Sequence, residues 1–282
     1  MDSSNSELLD LLYLGAYDTV VAQASKVIPD LDSDDDPAVR RLLLIRAYAA
    51  KKQWDKVEEE YTRSREQGTD TASVVASAET TLPSPPRTYE AFVLASLLGA
   101  EGRWAEALKV VSQAEQNLEC AVLKVQIHLR MHRADLADKA IKAMRDWAED
   151  RVPFQLVAAY KDVYQSGDSH QEAFFAFEEI YASNATPSAL NGQIVANLCL
   201  HRLPEAQALV NEANANNTSD PNILANAVAT ARLAGSKNSQ EQADRYLRQL
   251  EQLAPNHPLL QRTKEMSDAF DAVAAKYLPI SS

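Results

Sequence analysis

The chain has 282 residues, a formal net charge of −12, and only seven glycines and two cysteines. That charge excludes unaided binding to nucleic acid or anionic lipid, both of which are held by a Lys/Arg footprint. Scarce glycine argues against phosphate-cradling loops and for an all-helical chain, and Cys120 and Cys199, in apolar helical settings, are expected to be buried reduced thiols.

In chain order, Ser6 is placed to cap a helix carrying Leu8, Leu11, Leu12 and Leu14, which Gly15 ends before Tyr17, Val20, Ala24 and Val27 form its partner. Pro29 closes that pair. The acidic run from Asp30 ends in Asp36-Pro37, an N-cap followed by proline at the first helical position. Leu42, Leu44, Ile45, Tyr48 and Ala49 mark the next helix, and Trp54, Val57 and Tyr61 its partner. Residues 69–86, ending in Leu82-Pro83-Ser84-Pro85-Pro86, are expected to form an irregular insertion.

Helices then follow one another to the C-terminal end. They cover Tyr89 to Ala100, Trp104 to Ala114, Glu119 to His132, Asp135 to Trp147, a pair from Pro153 to about Ala182, Pro187 to His201, Leu203 to Asn214, Pro221 to Ala234 and Ser239 to Leu253. The aromatic cluster Phe174, Phe175 and Phe177 is expected to be core. Asp220-Pro221 repeats the capping device of Asp36-Pro37. Pro258 opens a last helix, within about 256–278, whose Leu260, Met266, Phe270 and Val273 are expected to face inward and cap the stack.

A repeat underlies this order. Trp104, Ala107, Val111 and Ala114 share one helical stripe, with the small Ala107 admitting a close neighbour. Ala107, Ala137, Ala173, Ala206 and Ala243 recur at intervals of 30, 36, 33 and 37 residues, averaging 34, the tetratricopeptide period. Ala114, Met144, Ile180, Ala213 and Leu250 follow seven residues after each. The fold expected is an all-α, tetratricopeptide-like right-handed solenoid of antiparallel helix pairs with a C-terminal capping helix, in one elongated domain over 1–282.

Candidate chemistry is sparse. His128 and His132 have the spacing of a two-histidine metal site, but Leu129 stands where a zinc protease needs glutamate and no third ligand is suggested. Asp32, Asp34 and Asp36 open like a calcium loop, but Pro37 and Leu43 occupy the places of its glycine and its bidentate glutamate. Neither a metal nor a cofactor is expected. No run of about 18 apolar residues and no leader is apparent, so the chain is expected to be neither integral nor secreted, and Asn184-Ala185-Thr186 and Asn216-Asn217-Thr218 are read as inter-repeat loops.

What remains is a surface for partners. In stacked helix pairs the first helix of each pair lines the concave side. Counting back from the small residues places Leu42, Arg46, Tyr89, Phe92, Ser96, Val122, Gln126, Leu129, Asn191, Val195 and Leu198 there. This lining is mostly apolar or neutral, which suits a partner bringing apolar side chains and backbone rather than an acidic tail.

Several segments resemble the epsilon subunit family of coatomer, the COPI vesicle coat. They are Leu14-Gly15-Ala16-Tyr17, Arg46-Ala47-Tyr48, Leu118-Glu119-Cys120, Val125-Gln126-Ile127, Leu190-Asn191-Gly192-Gln193, Arg245-Tyr246-Leu247, and Phe270-Asp271 through Tyr277-Leu278-Pro279. The resemblance implies a non-enzymatic cytoplasmic coat subunit that binds and stabilises the C-terminal region of the alpha-coatomer subunit, with a beta-prime subunit in the same subcomplex. It implies retrograde Golgi-to-endoplasmic-reticulum and intra-Golgi transport, and peripheral membrane association only through the coat. Residues 69–86 depart from the family pattern. The alternatives are another tetratricopeptide adaptor, or a helical metal-dependent enzyme using His128 and His132.

Overall fold

The computed structural model describes residues 4–25, 37–51, 53, 55–57, 59–60, 88–114, 117–165, 167–216 and 220–277. The expected insertion at 69–86, the Asp36 cap, the acidic run, Val27, Pro29, Trp54 and Tyr61 lie outside them. Among the described residues the regular elements are all helical. They are α1 (Ser4–Leu14), α2 (Tyr17–Ala24), α3 (Pro37–Ala50), α4 (Thr88–Ala100), α5 (Trp104–Val111), α6 (Leu118–Arg130), α7 (Ala134–Ala148), α8 (Val152–Tyr164), α9 (Ser169–Ser183), α10 (Pro187–Cys199), α11 (Leu203–Ala215), α12 (Pro221–Ala234), α13 (Lys237–Leu253) and α14 (Pro258–Ala274). Residues 55–57 and 59–60 are also helical.

The repeated alanines do what their spacing requires. Ala107, Ala137, Ala173, Ala206 and Ala243 are each 0% exposed, and their small methyl side chains let the paired helix come close. Met144, Ile180, Ala213 and Leu250, one heptad on, are buried as well. In six hairpins of the described residues the turn uses a left-handed residue, Gly15, Gly102, Gly167 and Gly235 in four of them and His132 (φ 58°) and His201 (φ 57°) in two. Such a residue reverses the chain and frees it to start the return helix.

The chain divides into two compact units, Met1–Ser188 and Ala189–Ser282. In the first, α4 pairs with α5, α6 with α7 and α8 with α9. Helix α6 is buried on two faces. Cys120 and Ile127 join Ala91, Ala95 and Ala107 of α4 and α5, while Val122 and Val125 join Ala137, Ile141 and Met144 of α7 and Val157 of α8. A third core gathers Leu8, Leu12, Val20, Leu43 and Ala47 from α1, α2 and α3. Helix α1 also meets α8, where the Arg151 guanidinium donates to Asp10 Oδ1 at 3.1 Å and to the Ser6 carbonyl at 3.1 Å.

In the second unit α12 packs against α11 and α13. Asp220 caps α12, its Oδ1 accepting from the backbone N–H of Asn222 at 2.8 Å and of Ile223 at 3.1 Å, with Pro221 in the first turn. Ser236 caps α13 by accepting from the Ser239 N–H, and Asn214 Nδ2 donates to the Tyr246 hydroxyl at 3.1 Å.

Three expectations change. Ser6 lies inside α1, which begins at Ser4. Of the phenylalanines on α9, Phe177 is fully buried but Phe175 is 52% exposed, because one helix face cannot enclose residues two apart. Of the residues expected to face inward on the last helix, Leu260 is half-buried and the other three are exposed. Met266 is 73% exposed, and Phe270 and Val273 face solvent with it. His257 anchors the start of α14 through a cap on the Leu259 N–H, and Leu259 and Leu260 are half-buried. Every residue from 261 to 277 is exposed.

Candidate partner-binding groove

Asn117 caps α6, its side chain accepting from the Cys120 N–H at 3.0 Å. Glu119 therefore falls in the first turn, where the unpaired N–H groups and the helix dipole favour a carboxylate. Glu119 is 2% exposed, and its charge is met from two other hairpins. Arg46 of α3 donates from Nη1 to Glu119 Oε1 at 2.7 Å, and the Tyr13 hydroxyl of α1 donates to the same oxygen at 3.2 Å. The guanidinium carbon of Arg46 stands 5.2 Å from the ring centroid of Phe92 on α4, a cation–π distance.

These contacts shape the titration of the site. Burial, and then the Glu119 charge, push the Tyr13 phenol well above its ordinary value. Burial alone would lower the Arg46 pKa, but Glu119 and Tyr13 outweigh it, so the guanidinium is held charged. The result is a neutral assembly of one cation, one anion and one phenol, tying together the first helices of three hairpins. Cys120 offers no nucleophile, since burial and the neighbouring Glu119 raise its thiol to about 12.

Arg46 and Phe92 border a groove of about 380 Å³. Leu12 and Tyr13 line it from α1, Arg46 and Ala50 from α3, Phe92 and Ser96 from α4, and Val122, Leu123 and Gln126 from α6, with Tyr17 added by α2. Val122 is enclosed in the core below, whereas Gln126 is exposed at the lip. Ser96 donates its hydroxyl to the Phe92 carbonyl at 2.8 Å.

Arg46, Phe92, Ser96, Val122 and Gln126, expected from sequence to share a surface, thus meet in one groove. Leu42, one turn before Arg46, is half-buried and does not line it. Leu129 packs against the α6–α8 core, and Tyr89 is on α4 with its side chain outside the description. Asn191, Val195 and Leu198 are half-buried on α10, where Asn191 Oδ1 accepts from Asn226 Nδ2 at 2.8 Å. Leu12, Tyr13, Tyr17, Ala50 and Leu123 were not expected there. Leu123 adjoins Val122 and Ala50 follows Arg46 by one turn, so their helical positions carried a signal.

The two histidines considered for metal binding have separate settings. His132 is a left-handed turn residue whose Nδ1 lies 2.5 Å from the Tyr164 hydroxyl. Among the described residues, buried His128 has no hydrogen-bond partner for its Nδ1. Among the described residues no group of three or more His, Cys, Asp or Glu is arranged to hold a metal ion, and no helix is long and apolar enough to cross a membrane.

The family model for the coatomer epsilon subunit matches residues 6–278. Coatomer subunit epsilon-1 of Oryza sativa subsp. japonica is 30% identical over 280 residues, covering 94% of each chain. Coatomer subunit epsilon of Dictyostelium discoideum is 24% identical over 295 residues, covering 96% of this chain and 97% of that one. Among solved structures, a tetratricopeptide repeat protein from Parabacteroides merdae superposes with a TM-score of 0.54 at 12% identity, covering 91% of this chain and 94% of its own. A chain of the APC/C hetero-tetramer Cut9–Hcn1 does so with a TM-score of 0.52 at 14% identity, covering 90% of this chain and 47% of its own. Both support the fold alone.

Proposed function

The chain belongs to the coatomer epsilon subunit family, non-enzymatic subunits of the COPI coat, and from that premise we propose that its groove grips the C-terminal region of the alpha subunit. The observation that carries this reading is the make-up of the groove. Four hairpins contribute their first helices, apolar and polar groups share the lining about equally, and the cation Arg46 is already neutralised by Glu119. An occupant bringing apolar side chains and backbone is matched to such a lining, whereas an acidic tail finds little field there.

Gripping alpha brings the chain into the subcomplex that also holds beta-prime coatomer. Its contribution is to stabilise that assembly during Golgi-to-endoplasmic-reticulum and intra-Golgi transport. It acts from the cytoplasm and reaches Golgi membranes and vesicles only through the coat. A chain of net charge −12 is repelled by anionic lipid unless a partner bridges them.

The test is co-expression with the C-terminal third of an alpha-coatomer subunit from the same source, followed by size-exclusion chromatography with light scattering. A single species with the mass of a heteromer is expected. Gln126→Arg places a charge at the exposed lip without touching the core, and should weaken the complex about tenfold at unchanged circular dichroism. Two separate, well-folded peaks would contradict the proposal and direct the search to other tetratricopeptide partners.

A further inference from the structure

The charge of the groove is set by a residue that does not line it. Among the described residues that do, Arg46 alone carries a formal charge. Glu119 stands behind it, 2% exposed, and takes the Arg46 Nη1 donor at 2.7 Å. The Arg46 side chain is 26% exposed. An ion pair on an open surface offers both charges to water and to partners, but here only the cation is within reach of an occupant.

The guanidinium is also held in place. Its central carbon lies 5.2 Å from the Phe92 ring centroid, so the ring covers one of its faces. Glu119 and the neighbouring Tyr13 hydroxyl do not use up its N–H groups, because a guanidinium carries a fork of donors along two edges. In the free chain water satisfies the rest. A partner that displaces this water has to supply an acceptor or leave a donor unpaired.

Two kinds of acceptor exist, and Glu119 decides between them. A main-chain carbonyl is neutral and leaves the pair balanced as the groove dries. A carboxylate would set a second negative charge beside Glu119 against a single cation, in a chain whose net charge is already −12. We infer that Glu119 is a positioning residue that sets the specificity of the groove: by balancing Arg46 internally, it directs the remaining N–H donors to main-chain carbonyls of an uncharged partner segment and turns away a segment that carries a carboxylate there. This rests on the reading of the groove as the alpha-binding surface. Glu119→Gln isolates the effect, since an amide oxygen still accepts from Arg46 and Tyr13 and only the charge is lost.

The experiment uses the full chain in three forms: native, Glu119→Gln, and Arg46→Gln combined with Glu119→Gln. Each is first titrated with the C-terminal third of alpha. Glu119→Gln should bind about tenfold more weakly, because binding then buries an unbalanced cation, and the double variant should return to within about threefold of native. Each is then titrated by anisotropy with a fluorescein-labelled apolar hexapeptide amide ending in aspartate, and with its counterpart ending in asparagine. The native chain should show no preference for aspartate, and Glu119→Gln should prefer it at least about tenfold, a gain that loss of structure cannot produce. Unchanged or tighter alpha binding by Glu119→Gln overturns the inference, the tighter binding because alpha then brings a carboxylate to Arg46. So does a double variant that falls short of the stated recovery. Equal binding of the two peptides by Glu119→Gln, undetectable binding included, overturns it as well. If Glu119→Gln loses its native circular dichroism, the double variant, which holds no unbalanced charge, decides alone by the same limit. A native chain that does not bind alpha fails the functional reading instead, and the peptide preference still decides the role of Glu119.

Discussion

Helices α6 and α14 both set apolar side chains three and four residues apart, yet they meet opposite surroundings. On α6, Val122 and Val125 are enclosed between α7 and α8, and Cys120 and Ile127 are enclosed between α4 and α5. On α14, Met266 and Phe270 face solvent. Helical spacing states which residues share a face. It does not state what covers that face, which depends on whether the chain supplies another hairpin alongside. In α6 the cover exists on both sides, and Glu119 of its first turn holds Arg46, which lines the groove.

The largest effect is expected at Val125. Val125→Asp puts an uncompensated carboxylate at a fully buried position and should cost about 4 kcal/mol or more, read as a collapse of the urea midpoint. Next comes the groove. Glu119→Ala leaves Arg46 without its carboxylate, and because the Arg46 side chain is 26% exposed the expected cost is reduced by solvent to about 1–3 kcal/mol. Adding Arg46→Met should recover part of that loss. If it deepens the loss instead, the pair is not the element that couples α3 to α6.

Backbone effects are smaller and carry a sign. Gly102 has φ +77° with nothing near its missing Cβ, so Gly102→Ala should cost about 1 kcal/mol from conformation alone. His201→Gly, at the matching turn of another hairpin, should be neutral or slightly stabilising in thermal unfolding.

Acid acts on α6 through His128. Burial first, then Lys124 and Arg133, hold its pKa below the ordinary 6.5, with Asp135 opposing. The unfolded chain therefore takes up this proton at higher pH than the folded one. The stability contributed is present above 6.5 and is lost as pH falls through that value towards the folded pKa. His128→Gln should flatten that part of a Tm-versus-pH curve. The smallest effect belongs to α14, where Phe270→Asp should change stability by less than about 0.5 kcal/mol. A large loss there would mean that this face is covered after all.

The same contrast explains what could be read from the sequence. The five alanines were legible because a tetratricopeptide hairpin repeats its close approach at a fixed interval, and counting back from Ala107 and Ala137 reached Phe92, Ser96, Val122 and Gln126, as counting back from Val57 reached Arg46. Tyr13 was not legible as a partner of Glu119. The two are 106 positions apart, and only the packing of α1 alongside later hairpins brings them together. His132 and His201 were hidden for a different reason. Left-handed turns are read from glycine, and nothing local marks a histidine that replaces one.

We propose that α1, α3, α4 and α6 form the surface that holds the alpha subunit. Hydrogen–deuterium exchange of the full chain, free and with the C-terminal third of alpha bound, tests it most directly. Added protection is expected in segments 12–17, 46–50, 92–96 and 122–126. Unchanged exchange in all four, with protection elsewhere in a stable complex, would contradict it.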